Sequence, residues 1–448
     1  MFQRILIANR GEIALRVLRA CKEMGIGTVA IFSEADRDAP YVDMADEAIC
    51  IGPALSAKSY LDISRIMSAA AIADVDAIHP GYGFLAENAH FAEVCGTSGI
   101  TFIGPPVECI RLLGNKTEAR KLATETGMPL LPGTTENVEN EEEAREIAAE
   151  IGYPVIVKAV SGGGGRGMRV AHNEAALNTG FVQAKTEAAA SFKDDSVYIE
   201  KFLENPRHVE VQIIADKHGN TVYCGERDCS MQRRNQKLVE EAPCPVFTEE
   251  DRARIGEAAA KLCSAAGYVS AGTVEFLMDA DKNFYFMEVN TRIQVEHPVT
   301  EMVTSTDLIQ AQILAAAGEK LPFTQEDIEI RGHSIECRIN AEDPSMDFRP
   351  SPGKIEAIFP PGGLGVRWDS HAHAGYVVPP NYDSMIGKLI VYGKDRPEAI
   401  RIMKRALHEL GIEGIKTTIP LHLKIMNNAN FQSGDIHIHF LEKTLLKG

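Results

Sequence analysis

The first hundred residues alternate between two periods. Short apolar, β-branched runs (RILIANR, TVAIFS, DAIHP, ITFIGP) are separated by stretches with apolar residues every three or four positions, as in GEIALRVLRACKEMG and YLDISRIMSAAAIA. Runs of the first kind suit strands buried on both faces, and the 3.6-residue period suits amphipathic helices. Strand, helix, strand, helix implies a parallel sheet covered on both sides, and predicts a first domain over 1–114. Its opening turn, Asn9-Arg10-Gly11-Glu12, holds a single glycine, which argues against an NAD-binding fingerprint.

Helical spacing returns over 116–126, followed by a Pro132-Gly133 turn and an acidic helical stretch over 139–150 that reads as a solvated face. From Tyr153 the texture becomes strand and glycine: YPVIVKA, four consecutive glycines over 162–165, Arg166, Gly167, a second strand-like run MRVA, and then a helix with Asn173 as N-cap. A third segment from Arg331 carries RGHSIECRINAED, the turns SPGK and PPGGLG, the strand-like GKLIVYG and an amphipathic helix over 397–410. It reads as a C-terminal α+β domain of antiparallel strands over 331–448, which leaves 115–330 as the middle domain. The class is α/β joined to α+β, without internal repeats.

Alternation is most informative over 273–301, TVEFLMDADKNFYFMEVNTRIQVEHPVTE. Two β-rich runs flank a hairpin loop at 279–283. Positions 288, 290, 292, 294 and 296 are Glu, Asn, Arg, Gln and Glu, whereas 287, 289, 293 and 295 are Met, Val, Ile and Val. An extended backbone projects the polar set to one side. Phe284 and Phe286 share its parity, so that face is expected to begin buried and become the wall of a site. Glu275 can meet Glu288 across the hairpin, and with the Asn290 amide oxygen they are hard ligands suited to Mg²⁺ or Mn²⁺. Arg292 stays protonated and its planar fork suits a small oxyanion, while Glu296 is the candidate proton acceptor.

Gly162, Gly164 and Gly167 match GxGxxG, but MRVA after them returns as a strand rather than opening a helix. A glycine loop between strands is a flap that offers backbone N–H groups to phosphates, with the Lys158 ammonium beside it. No GxxxxGK[ST] string occurs, which excludes a P-loop. A local basic run, ERDCSMQRRNQKLVEEAP, supplies Arg227, Arg233, Arg234 and Lys237 and is expected to be a loop lining an anion site.

The overall balance is the reverse, 46 Lys+Arg against 63 Asp+Glu in 448 residues, for a net charge of −17. This excludes a passive nucleic-acid coat. No apolar run approaches the ~18 residues needed to span a bilayer, and the N-terminus lacks a signal peptide's order, so a cytoplasmic protein is expected. The nine cysteines are odd in number and form no CxxC pair, which suits reduced, mostly buried thiols.

The stretches IANRGEIALRVLRA, HPGYGFLAEN, SGGGGRGMR, YIEKFLENPRHVEVQ, RDCSMQRRNQK, EVNTRIQVEHPVTE, ECRINAEDP and YDSMIGKLI resemble the biotin carboxylases over essentially the whole chain. The resemblance implies an ATP-grasp fold with a Rossmann-like N-terminal domain, a mobile lid over about 132–203 and a C-terminal α+β domain. It implies carboxylation of carrier-bound biotin by ATP and bicarbonate through carboxyphosphate. Carried over by residue, ATP contacts fall on Lys116, Lys158, Gly164, Gly165, Glu200, Lys201, Phe202, Leu203, His208 and Asn235, and metal on Glu275, Glu288 and Asn290. Bicarbonate falls on Lys237, Arg292, Gln294 and Val295, with Glu296 as base and Arg338 stabilising the biotin enolate. Asn235 departs from several bacterial members, which carry His there. The end LEKTLLKG shows neither an Ala-Met-Lys-Met biotinylation site nor a carboxyltransferase region, so a biotin carboxyl carrier protein and carboxyltransferase subunits are expected as partners, with a homodimer implied by the family. Acetyl-CoA carboxylase is the favoured setting. The alternatives are the A subunit of a two-subunit pyruvate carboxylase, another acyl-CoA carboxylase, and more remotely another ATP-grasp carboxylate–amine ligase, which biotin-dependent ATP hydrolysis separates.

Overall fold

A computed structural model describes residues 1–134, 137–160 and 167–446. The N-terminal part is a five-stranded parallel sheet in the order Glu47–Gly52, Gly27–Ser33, Arg4–Ile7, Ala77–His79, Thr101–Phe102. The anticipated strands are present, and Glu47–Gly52, with its half-exposed EAICIG pattern, is an additional edge strand. Helices Gly11–Glu23 and Ile63–Ile72 pack against the sheet through Ile13, Val17 and Leu18 and through Ile66 and Ala70. The strand order reverses at Arg4–Ile7, whose neighbours lead away in opposite directions. Loops leaving the carboxyl ends of Arg4–Ile7 and Ala77–His79 therefore open a crevice. Asn9 ties them together, its Nδ2 donating to the carbonyls of Pro80 and Tyr82, each at 2.7 Å. Gly81, at φ +62°, has no room for a Cβ, which would stand 2.9 Å from that same Nδ2.

The centre is an eight-stranded antiparallel sheet: Phe284–Asn290, Ser270–Met278, Arg207–Ala215, Thr221–Arg233, Gln236–Ala242, His333–Asn340, Met385–Gly393, Val366–Ser370. It runs without interruption from the middle of the chain into the C-terminal part, joined where Val239 faces Cys337 and Glu240 faces Glu336. Helix Arg396–Glu409 covers the C-terminal strands, close to the expected 397–410. A separate three-stranded sheet, Met168–Ala171, Val155–Ala159 and Val197–Lys201, packs on helices Glu141–Ile151 and Glu174–Phe192 through Val155, Val157, Ala148, Leu177 and Ala184. Asn173 caps the second of these helices as expected, accepting from the Ala176 N–H. Among the described residues no helix is long and apolar enough to cross a membrane. The cysteines are all free, eight buried and Cys50 exposed.

Two expectations are overturned. The basic run is not a loop: it forms the strands Thr221–Arg233 and Gln236–Ala242, with Arg234 and Asn235 at φ +49° and +63° as the hairpin turn. Its polar texture is that of side chains paired inside the protein, because Arg227 is fully buried. Nor is the 284–296 ladder one continuous face. Glu275 pairs with Glu288 but Phe276 pairs with Phe286, so Met287 is the extra residue of a β-bulge. The bulge reverses the parity. Phe284 and Phe286 join Phe276 in the core on one side, with Phe276 and Phe284 edge to face at 5.4 Å, while Glu275, Glu288 and Asn290 face the other. The strand then ends at Asn290.

Across the sheet, Glu241 accepts from His333 Nε2 at 2.8 Å and from Arg396 Nε at 2.6 Å, fastening the helix Arg396–Glu409 to the central strands. Burial pushes this carboxyl up, but Arg396 and His333 outweigh burial and hold it at about 2, below the ordinary 4.5. A depressed folded value stabilises above the unfolded one and is lost as pH falls toward it. Glu241→Gln is therefore expected to cost about 3 kcal/mol near neutrality, with the deficit shrinking toward about pH 3. Denaturant unfolding at both pH values measures this, and an equal deficit at both would contradict it.

Candidate active site

A cavity of about 660 Å³ lies between the N-terminal crevice, the bulged hairpin and the C-terminal strands. Its wall includes Lys116, Lys158, His208, Asn235, Lys237, Glu275, Glu288, Asn290, Arg292, Gln294, Val295 and Arg338. Gly164 and Gly165 lie outside the described residues. The strands Val155–Ala159 and Met168–Ala171 that flank them pair antiparallel, with Lys158 opposite Met168. The side chains of Glu200, Lys201, Phe202 and Leu203 are not on the described wall. Lys201 Nζ instead donates to the carbonyls of Gly152 and Tyr153, and the Phe202 ring sits by His172 and His439. Glu200 is buried and holds Lys158, sharing its carboxylate with Arg120 Nη1 at 3.0 Å.

Lys237 is the hub. Its Nζ donates to Glu210 Oε2 at 2.5 Å, Glu296 Oε1 at 2.7 Å and Glu275 Oε1 at 2.9 Å. Glu210 in turn accepts from Arg227 Nε at 2.6 Å, and Arg227 also reaches Gln212, Thr300 and Thr273. Glu296, 0% exposed, accepts at its other oxygen from Arg338 at 2.9 Å, and Arg338 Nε donates to Glu240 Oε1 at 2.6 Å. Burial pushes the Glu296 carboxyl up, but Lys237, Arg338 and Arg227 prevail and hold it well below the carboxylate range. Burial likewise disfavours the Lys237 charge, yet the surrounding carboxylates raise its affinity for the proton. Glu210 is the member pushed up, by burial and then by Glu296.

Beyond Asn290 the chain leaves the sheet, and Glu296 arrives through a turn just before helix His297–Thr304. Arg292 is held by Glu87 at Nε (3.0 Å), Gln294 (2.9 Å) and Asn290 (3.2 Å). Glu87, Glu210, Arg120 and Glu240 are site residues that the sequence reading did not single out. Each acts by holding another side chain, and nothing in local composition marks such a role. Glu275, Glu288 and Asn290 share one face as anticipated. The Glu288 carboxylate is 37% exposed and, among the described residues, held only by Lys116 at 3.4 Å, so the donor set fits a hard divalent cation. Oxygens of Glu210 and Glu275 with a His208 nitrogen also lie within 4.8 Å of one another, but Lys237 already supplies the positive charge there.

The chain matches the family models "Biotin carboxylase, N-terminal domain" over 1–110, "Carbamoyl-phosphate synthase L chain, ATP binding domain" over 115–324 and "Biotin carboxylase C-terminal domain" over 336–443. It is 59% identical over 446 residues to a protein of Haemophilus influenzae named biotin carboxylase, covering 99% of both chains. A biotin carboxylase–β,γ-ATP complex from Campylobacter jejuni superposes with TM-score 0.96 at 52% identity, covering 99% of each chain. The biotin carboxylase domain dimer of the Hydrogenobacter thermophilus 2-oxoglutarate carboxylase, solved with MgADP, ADP and bicarbonate, gives 0.95 at 50% identity, covering 99% of this chain and 98% of that one.

The arginines of the basic run separate by burial. Arg227→Met removes one of the two cations that hold the buried Glu210 charge and is expected to destabilise by about 3–5 kcal/mol. Arg234→Ala, removing a side chain 64% exposed, is expected to stay within about 0.5 kcal/mol. Thermal unfolding of the two variants tests the contrast, and equal shifts would contradict it.

Proposed function

The chain belongs to the biotin carboxylase family of ATP-dependent ligases, and from that premise we propose how its residues divide the reaction ATP + bicarbonate + biotin → carboxybiotin + ADP + phosphate. The observation that carries the reading is the Glu296 carboxylate, fully buried and bonded on one oxygen to Lys237 and on the other to Arg338, two residues that line the same cavity as the Arg292 fork.

Lys116 and Lys158 receive the ATP phosphates, Gly164 and Gly165 are further nucleotide contacts, and Glu200 keeps Lys158 in place. Because the Lys201 ammonium is bonded to the Gly152 and Tyr153 carbonyls, that residue meets the nucleotide through its backbone, while Phe202, Leu203, His208 and Asn235 complete the pocket. Glu275, Glu288 and Asn290 would hold Mg²⁺ or Mn²⁺, which neutralises phosphate charge when bound. Arg292 and Lys237, with Gln294 and the Val295 backbone, bind bicarbonate, and Glu296 takes its proton. A carbonate oxygen then bonds to the γ-phosphorus as its bond to the ADP oxygen breaks, giving carboxyphosphate. Closure of the lid excludes water from this labile species. It decomposes to CO₂ and phosphate beside biotin; the released phosphate takes the ureido N–H proton, and the nitrogen attacks CO₂ to form the N–C bond, while Arg338 stabilises the enolate oxygen.

The biotin arrives on a carrier protein, with a carboxyltransferase as the third component, and the enzyme works in the cytoplasm as a homodimer within acetyl-CoA carboxylase. The higher identity to a protein named simply biotin carboxylase than to the 2-oxoglutarate carboxylase domain supports that setting. Identifying the biotinylated and carboxyltransferase chains that co-purify tests it, and a pyruvate or 2-oxoglutarate carboxyltransferase would overturn it.

Glu296→Ala is expected to lower bicarbonate-dependent ATP cleavage by at least about 100-fold with nucleotide affinity largely retained. Normal turnover would sink the base assignment. Arg338→Ala is expected to impair biotin carboxylation while leaving ATP binding intact, and an unchanged rate with biotin would refute its role.

A further inference from the structure

Behind Arg338 lies a pair of acids that this reaction does not use. Glu240 on Gln236–Ala242 stands directly opposite Glu336 on His333–Asn340, and both are 0% exposed. Such cross-strand partners have Cβ atoms about 4.5–5.5 Å apart. Glu240 Oε1 accepts from Arg338, but its Oε2 has no partner among the described residues, and neither does either oxygen of Glu336. The surrounding cations are committed elsewhere. Lys237, on the strand of Glu240, serves Glu210, Glu275 and Glu296. Lys388, on Met385–Gly393, is bonded to Glu12 at 3.0 Å and to the Val295 carbonyl at 2.8 Å. Arg338 divides its fork between Glu240 and Glu296. Of the other titratable neighbours, Cys337 lies in the opposite core and Cys229 sits near Glu296 at 3.9 Å.

We propose that Glu240 and Glu336 share one proton and act together as a positioning unit that sets how firmly Arg338 is held at the biotin subsite. A proton between Glu240 Oε2 and Glu336 satisfies two otherwise orphaned oxygens and leaves the pair one negative charge, which Arg338 meets with the arm of its fork that does not serve Glu296. Burial acts the same way on both, pushing Glu240 up to about 7 despite Arg338, and Glu336 well above the ordinary range. The proton is stored, not consumed. Were it lost, a dianion would draw Arg338 back and oppose negative charge on the enolate oxygen. The inference rests on the reading of Arg338 as the enolate's partner.

The test compares carboxylation of free biotin with biotin-independent, bicarbonate-dependent ATP cleavage from about pH 6 to about pH 9.5. Wild type is expected to lose the first relative to the second as pH rises. Glu336→Gln, a permanently neutral stand-in for the protonated acid, is expected to match wild type within about 3-fold near neutrality and to exceed it by about 3–10-fold at the alkaline end. Glu240→Gln is expected to lower biotin carboxylation by about 10-fold. An alkaline limb unchanged in Glu336→Gln, or a loss at every pH equal to that of Glu336→Ala, would overturn the proposal. Infrared difference spectra of the wild-type protein give a check independent of variant folding: a buried carboxylic acid C=O band must be present at neutral pH, and its absence would also overturn it. Should Arg338→Gln carboxylate biotin normally, the reading of Arg338 fails. Should that variant be impaired while Glu336→Gln keeps the wild-type pH profile, only the shared proton fails.

Discussion

Everything in the site depends on one ammonium group placed among carboxylates from different parts of the fold. Glu210 comes from Arg207–Ala215, Glu275 from Ser270–Met278 and Glu296 from the head of His297–Thr304, while Lys237 comes from Gln236–Ala242. Without the lysine these acids would repel one another in a region of low dielectric and take up protons. With it, they become a crosslink, passed on from Glu210 to Arg227 and from Glu296 through Arg338 to Glu240. The central sheet is thereby fixed at the point where it passes from the middle of the chain into the C-terminal part.

Buried charge also docks the N-terminal sheet on this frame. Lys388, 0% exposed, bonds Glu12 from the first helix and the carbonyl of Val295 next to Glu296. Arg10 reaches Asp36 at 2.7 and 2.8 Å and Tyr376 at 3.2 Å, so the first and last parts of the chain meet directly. The crevice that the reversing strand order opens is thus closed from one side by the C-terminal strands. A site assembled from three parts of the chain needs such rigid joints, because reacting groups tolerate little misplacement.

Much of this was legible in the sequence, and the limits have a physical cause. Short apolar runs and helical spacing located the parallel sheet, the Asn173 cap and the 116–126 helix, since those signals are local. Period-two alternation put Glu275 and Glu288 face to face, as found. It failed at Phe284 and Phe286, because one bulged residue at Met287 inverts parity without leaving a compositional mark. The basic run was misjudged for a related reason: Arg227 looks like a surface residue until Glu210, 17 positions earlier, is placed beside it. Partners far apart in sequence are set by tertiary packing, so Glu87, Glu210, Arg120 and Glu240 emerged only from the structure.

The depressed proton affinity of Glu296 is at odds with a role as base until the anion is counted. Alone, a carboxylate held well below its usual range accepts a proton poorly. In the proposed reaction the same event that protonates it creates a carbonate dianion beside Arg292 and Lys237, and Lys237 can then turn part of its bonding from the neutralised acid to the new charge. The cation that weakens the base in the free enzyme strengthens the product of its action. The net charge of −17 fits the same logic. In the proposed reaction anionic substrates are received by a few cations, several of them already paired with buried acids, so an arriving anion takes over a partner rather than meeting a bare positive field.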